Sequence, residues 1–425
     1  MRKHPGAVRF STIAACCALV VAGCGSSSKK STGATATTAS PGASAPGPGT
    51  QFPPIPAGPI KVGLSVSLSG PLAQYGIQSQ KAFDQVSLKF FNQMHPDGID
   101  GHPVSLDLEN DAGDATTSVN VINQMISNKV AAVIHVSDIP ADEALQMPLL
   151  SKAKIPTITF KGDDKYADVT KYPYAFGVLA STAELGTAAA RWIAAHPQYK
   201  KIAVLTDSVP AQQETIDDIL KPLKTLAPGD SVVKTVSITP GAVDVSTPLA
   251  QLKASNPDLV MIMVSEGYGP LWDGFHAAGW SPPIVTSGSF YDGYSSMGNL
   301  ATKAYNPGTD CVPANHAPYA KAVTDLMDAY VGAVGNISPN MLIYIHTDSM
   351  QLELLKYAIE KYHSTDPNAI KQALEGIHDQ SFIDPIFTYN FSPTNHYGIT
   401  GDLGAQMCVM SPLIDGPYRM PTIAS

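Results

Sequence analysis

The stretch Ile60-Lys61-Val62-Gly63-Leu64-Ser65-Val66-Ser67-Leu68-Ser69-Gly70 decides how the rest of the chain is read. Its first seven residues are rich in aliphatic side chains and form a strand, which the Ser/Gly run after Val66 stops. From Gln78 to Met94, Ala82, Phe83, Val86, Phe90 and Met94 then recur at helical spacing. A strand, a small polar turn and an amphipathic helix open a βαβ unit.

The unit repeats along the chain. Strands are predicted at 104–108, 131–136 and 157–160, with helices at 115–127 and 141–151 between them. The rhythm restarts with helices at 182–195, 212–223, 247–254 and 271–278, alternating with strands at 201–205, 231–238, 259–264 and 283–286. Such alternation predicts an α/β fold of parallel sheets with helices on both faces, and two successive sets predict two similar lobes. Beyond residue 310 come helical stretches at 317–334, 341–362 and 368–374. Too few strands remain for a third sheet, so this tail is predicted to pack back onto the two lobes.

A chain of 425 residues, 44% hydrophobic and 15% charged, can bury a sizeable core. Its 27 basic residues, spread without runs against 36 acidic ones, do not make a surface for nucleic-acid phosphates. No P-loop and no G-x-G-x-x-G follows a strand, and Gly63-Leu64-Ser65-Val66-Ser67 fails the last position of G-x-S-x-G. No C-x-x-C or H-E-x-x-H occurs either. Neither catalysis nor a metal or cofactor is therefore predicted.

Arg2, Lys3 and Arg9 precede an apolar stretch, Phe10 to Val21, that is shorter than the about 20 residues a bilayer needs, so it reads as an export signal. Gly25 to Pro59 is Ser, Thr, Ala, Gly and Pro with almost no apolar bulk, the composition of a flexible tether. Between them, Val21-Ala22-Gly23-Cys24 resembles the lipobox of bacterial lipoproteins. That resemblance implies a signal peptide at 1–23, a diacylglycerol on Cys24, a tether over 24–57 and a protein held at the outer face of the cytoplasmic membrane. Cys16 and Cys17 leave with the signal, and an oxidising compartment either joins Cys311 to Cys408 or leaves two free thiols.

Open parallel sheets bind ligands outside the carboxyl ends of their strands. Here those ends read Ser67 to Gly70, Ser137-Asp138, Lys161-Gly162, Thr206-Asp207-Ser208, Ser265-Glu266-Gly267 and Ser287-Gly288-Ser289-Phe290-Tyr291. Each group alone suits a helix cap or turn. Their presence in both sets suits a cleft that hydrogen-bonds a small polar molecule.

Leu68-Ser69-Gly70-Pro71-Leu72-Ala73-Gln74-Tyr75-Gly76 resembles the opening of type I periplasmic binding proteins of the branched-chain amino acid transporter group. Gly98 to Val104, Asp111, Ile155-Pro156-Thr157-Ile158, Asp366 to Leu374 and Phe391 to Gly398 continue the resemblance in order, over roughly residues 58–412. It implies two Rossmann-like lobes joined by a hinge of three crossovers near Val178, Ala304 and Gly404. Residues 58–178 with 305–403 then form one lobe, and 179–304 with 404–425 the other. It further implies a monomer that captures a solute between the lobes and hands it to the permease and ATPase of an ABC importer. A lipoprotein that senses its ligand and signals to a partner receptor is the alternative.

The same resemblance points to Ser69 and Tyr75 beside the ligand, and to Ser137 and the Phe160-Lys161-Gly162 stretch at a ligand carboxylate. Lys161 either adds charge there or is a solvated surface lysine. Family members that hold an ammonium often show Tyr in D-x-x-x-Y-G and an acid in G-x-E; this chain reads Asp207-Ser208-Val209-Pro210-Ala211 and Ser287-Gly288-Ser289-Phe290. Ser265, Ser289 and Phe290 are the second-lobe candidates, and Glu266 is either the missing acid or an exposed loop residue. A buried ammonium without a carboxylate is costly, so amino acids, amides, small carboxylates and aromatic acids all stay open as solutes.

Overall fold

A computed structural model describes residues 52–70, 73–137, 140–159, 164–207, 209–286, 296–308, 328, 339–382, 388–399, 406–409 and 422–423. The first sheet is parallel and five-stranded, in the order β2-β1-β3-β4-β5. Its strands are β1 (Ile60–Val66), β2 (Val104–Asn110), β3 (Ala132–His135), β4 (Thr157–Thr159) and β5 (Ala175–Gly177). Both faces of β1 are buried, Val62 and Leu64 on one and Gly63 and Ser65 on the other, as a central parallel strand requires. Helices α1 (Ala73–Lys81) and α2 (Leu88–Met94) are joined by a π-helical turn, Ala82–Ser87, that buries Phe83 and Val86. α3 (Ala115–Ser127) and α4 (Pro140–Ala153) complete this half of the fold. The start of α3 is set by Asp114, whose side chain accepts from Thr117 N at 2.9 Å.

The second sheet has seven strands, β12-β11-β10-β9-β8-β6-β7. These are β6 (Lys201–Asp207), β7 (Ser231–Ile238), β8 (Leu259–Met263), β9 (Ile284–Thr286), β10 (Ala304–Gly308), β11 (Gln406–Val409) and β12 (Thr422–Ile423). The pairs from β7 to β10 are parallel, and β11 and β12 add antiparallel partners. α5 (Thr182–Ala194), α6 (Pro210–Leu226), α7 (Ser246–Ala254) and α8 (Tyr268–Ala277) cover it. α5 begins in a capping box, with Ser181 Oγ accepting from Glu184 N and Glu184 Oε2 from Ser181 N. Each sheet carries its own core: Val62, Leu64 and Ile134 in the first, Leu205, Ile262 and Trp272 in the second.

The tail divides between the sheets. α9 (Pro339–Tyr362) and α10 (Pro367–Leu374) pack Leu352, Leu355, Ile359 and Ile370 into the first core, whereas β10 to β12 extend the second sheet. Within α9, Gln351 Nε2 donates to the carbonyls of Ile134 and Ile158 at 2.8 Å each, across a junction where β3 and β4 share a single residue pair. The predicted stretch 317–334 lies, but for Asp328, outside the described residues, as does Gly404.

Two expected boundaries are corrected. β10 pairs with β9 through Ala304 and Tyr305, so the chain stays in the second sheet to Gly308 rather than crossing near Ala304. Pro307 and Gly308 disguise this strand as a loop. The tether expected over 24–57 overlaps a segment held on the first half of the fold from Phe52 onward. Phe52 meets the Tyr362 ring edge-on at 5.3 Å, Pro53 O accepts from Ser364 Oγ, and Ile55 packs on the core.

Candidate functional site

One buried polar network holds the carboxyl edge of the first sheet. Asp111, fully buried just past β2, accepts from Ser67 Oγ at 2.6 Å, Ser65 Oγ at 3.0 Å and Gly113 N at 3.0 Å. Its neighbour Asn110 clamps the following turn: Oδ1 accepts from Leu68 N and Ala112 N at 2.8 and 2.9 Å, and Nδ2 donates to Ser69 Oγ at 3.1 Å. Glycine is required on both sides of this turn. Gly70 has φ +84° and a Cβ there would lie 2.4 Å from Ala112 O, while a Cβ on Gly76 would lie 2.1 Å from Ser67 O.

Gln146, fully buried on α4, extends the network to β3. Its Oε1 accepts from Ser137 N at 2.8 Å, and its Nε2 donates to Ser65 Oγ at 2.8 Å and Ser118 Oγ at 2.9 Å. The direction of every bond follows from the one group that can only donate, the Ser137 N–H. It fixes the Gln146 oxygen toward itself and the amide nitrogen toward the serines. Ser65 then passes its hydrogen to Asp111, as Ser67 does, which leaves Ser67 only lone pairs. Ser69 accepts from Asn110 and keeps its own hydrogen to give.

The second sheet uses a smaller clamp. Asp207, the last residue of β6, accepts on Oδ2 from Ser265 N at 2.6 Å and Ser265 Oγ at 2.7 Å, and on Oδ1 from Val209 N at 3.0 Å. Ser265 is half-buried and both of its hydrogens face Asp207, so it too offers lone pairs. Glu266 is exposed, its side chain lying beside Gly241, where a Cβ would stand 3.2 Å from Glu266 Oε1.

Of the residues expected at the site, Ser69 is an exposed loop hydroxyl, Ser137 is fully buried with its N–H committed to Gln146, and Ser265 and Glu266 stand together after β8. Tyr75 lies in α1, of which only the backbone is described at that residue. Phe160, Lys161, Ser289, Phe290, Cys24 and Cys311 lie outside the described residues. Cys408, buried in β11, is disulfide-bonded. Among the described residues no group of His, Cys, Asp or Glu could hold a metal ion, and no helix is long and apolar enough to cross a membrane.

Residues 59–403 match the family model described as periplasmic binding protein. The chain belongs to that family. Among its relatives, the Leu/Ile/Val-binding protein BraC3 of Rhizobium johnstonii is 27% identical over 372 residues, covering 84% of this chain and 92% of that one. Among solved structures, the solute binding protein of an ABC transporter from Rhodopseudomonas palustris BisB5, in complex with 3,4-dihydroxybenzoic acid, aligns with a TM-score of 0.69 at 18% identity. That alignment covers 86% of this chain and 96% of the other. The branched-chain amino acid transporter substrate binding protein of Streptococcus pneumoniae, in complex with isoleucine, aligns with a TM-score of 0.67 at 18% identity, covering 86% and 99%. The two-sheet architecture is thus the type I periplasmic binding protein fold. As a periplasmic binding protein the chain has a solute-binding role, and its family is one of exported binding components rather than of enzymes.

Sequence reasoning missed Gln146 and Asn110 altogether, used Asp111 only as a mark of the family resemblance, and placed Asp207 at the cleft edge without assigning it the clamp on Ser265. The available signal was a polar residue on the face of α4 that also carries Met147 and Leu150, since polar side chains on a core-facing stripe need internal partners.

Proposed function

We propose that the protein is an exported lipoprotein, anchored through Cys24, that captures a small polar solute between the carboxyl edges of its two sheets and delivers it to an ABC importer. One observation carries this reading: both edges hold their loops on a buried aspartate that accepts three hydrogen bonds, and each edge presents a hydroxyl of fixed bonding direction, Ser69 held by Asn110 in the first and Ser265 held by Asp207 in the second. The chemistry offered differs by lobe. Ser69 has a hydrogen to give, which suits a carboxylate or carbonyl, whereas Ser265 offers lone pairs beside the acidic Glu266, which suits an N–H or O–H group. A solute with an acceptor at one end and a donor at the other fits both, and the Leu/Ile/Val-binding relatives and the dihydroxybenzoic acid complex name molecules of that kind.

The anchor geometry agrees with this role. Phe52 to Gly58 is fastened near the amino end of β1, with Gly58 O facing His102 Nδ1 at 2.9 Å, whereas the solute residues follow its carboxyl end. On composition alone, a tether over residues 24–51, about 28 residues, would reach roughly 30 Å. Cys24→Ser should move the protein from the membrane to the soluble fraction, and unchanged fractionation would remove the lipid anchor from the reading.

The solute claim is tested by a thermal-shift screen of amino acids, amides, small carboxylates and aromatic acids. Binding only the folded state at about 100 times Kd adds about 2.7 kcal/mol of stability, a shift of several degrees. A screen in which no compound raises the melting temperature would overturn the solute class.

A further inference from the structure

The two places where the first sheet presents residues to the solute site are not tied to each other by backbone pairing. β1 pairs with β3 through Val62↔Ala132, Gly63↔Val133 and Leu64↔His135, with a register shift before the last pair, and the ladder stops there. β3 meets β4 at a single pair, Val133↔Thr157. Ser65 to Gly70 on one side and Val136-Ser137 on the other therefore run on beyond the last β1–β3 rung. What spans the gap is a side chain. Gln146 takes the Ser137 N–H on its oxygen and gives one hydrogen to Ser65, which passes its own to Asp111, the acceptor of Ser67.

We propose that Gln146 is the positioning residue of the solute site, holding Ser137 at a fixed distance from the Ser67–Gly70 turn where the β ladder no longer does so. The inference rests on the solute-binding reading above. Three features suit Gln146 to this task. α4 holds its backbone still, because Met147 and Leu150 on the same helix are buried among Val121, Ile122, Met125 and Val133. Its second amide hydrogen goes to Ser118 Oγ on α3, so the amide plane is fixed from two helices. All its hydrogen-bonding directions are also single-valued, which a serine or a water in the same place would not make them. A glutamate would keep the acceptor for Ser137 but, once ionised, would have no hydrogen for Ser65 or Ser118 and would stand close to Asp111.

Amide hydrogen exchange on the full-length, solute-free protein tests the proposal directly, since it reads local opening residue by residue. In Gln146→Met the Ser137 amide should exchange on the order of a hundredfold faster than in the parent, while Val62 and Leu64, inside the ladder, stay within about twofold. Ser118→Ala, which removes one hydroxyl and should fold normally, should accelerate the Ser137 amide about tenfold. In Gln146→Glu, Ser137 protection should be near that of the parent in acid, where the carboxyl can donate, and fall as pH rises. The parent should show no such profile beyond intrinsic exchange chemistry.

An unchanged Ser137 amide in Gln146→Met would overturn the proposal. So would acceleration spread evenly through all five strands, the mark of a residue that only stabilises. If Gln146→Met does not fold, Ser118→Ala and the Glu variant decide on the same two criteria. The solute screen uses separate material and a separate readout: failure there with the exchange pattern intact removes the solute and keeps the positioning, and the reverse removes Gln146 alone.

Discussion

The carboxyl edges of the two sheets face the same task and meet it differently. In the second sheet, β6 and β8 pair without interruption from Ile202↔Leu259 to Thr206↔Met263, so the ladder itself brings Asp207 and the Ser265 turn together. One aspartate then suffices. In the first sheet the β1–β3 register shifts and the ladder ends early, and the side chains of Ser65, Ser67, Asp111, Ser118 and Gln146 take over. The extent of the polar network thus tracks how much the backbone leaves undone. Buried side-chain networks cost desolvation unless every member is satisfied, and this one is placed only where strand pairing cannot serve.

The comparison predicts unequal losses when each aspartate is removed. Asp111→Ala leaves the fully buried Ser65 Oγ and Ser67 Oγ, and the half-buried Gly113 N, without their acceptor. At about 1–3 kcal/mol for each unsatisfied group, partly relieved by water, the variant should lose roughly 3–5 kcal/mol. Asp207→Ala also strips three donors, but Asp207 is 6% exposed and the β6–β8 ladder remains, so a loss of about 2 kcal/mol is expected. Urea unfolding of both variants measures the difference. Equal losses would mean that strand pairing does not share the work in the second sheet.

How far these features were legible depends on where their signals lie in the chain. α3 was read with both ends correct because an Asx cap precedes it and Val121, Ile122 and Met125 mark one buried face. β7 was read whole from its β-branched run. β5 was missed because three residues, Ala175–Gly177, are too short for a period to show. β10 was missed because a proline and a glycine close it. The π-helical turn at Ala82–Ser87 lies in a stretch whose apolar residues Ala82, Phe83, Val86 and Phe90 read as ordinary helical spacing, so periodicity alone passes over it. At the site, turn serines are visible as residue types, but the partners that orient Ser67, Ser69 and Ser265 lie 44, 41 and 58 positions away in the chain. No local pattern encodes such a pairing. Ser265 illustrates the consequence: as a residue type it could donate to a solute, and the Asp207 carboxylate leaves it only able to accept.

The lateral edges differ as well, and here the smallest effect is expected. β7 leaves its sheet open, with Val232 and Val233 exposed and Lys234 between them and Thr235, a charge of the kind that discourages edge pairing. β5 is covered instead. Gly177 N donates to His396 O at 2.9 Å and Gly398 N to Gly177 O at 2.8 Å, while the His396 ring stacks on Phe176 at 4.1 Å. Glu375 secures this cover by accepting from His396 Nε2 at 3.0 Å and Lys371 Nζ at 2.5 Å. Burial pushes the Glu375 carboxyl up, but those two hydrogen bonds and the charges behind them outweigh it and bring the group below its ordinary 4.5. A carboxyl lowered by folding contributes stability that is full above its unfolded value and disappears as pH falls through its folded one. Glu375→Gln should therefore cost about 1 kcal/mol at pH 7, and the gap between parent and variant should close as pH drops below 4.5. A gap of constant size from pH 7 to the acid limit would show that Glu375 holds the covered edge by packing, leaving the difference between the two lateral edges without an electrostatic component.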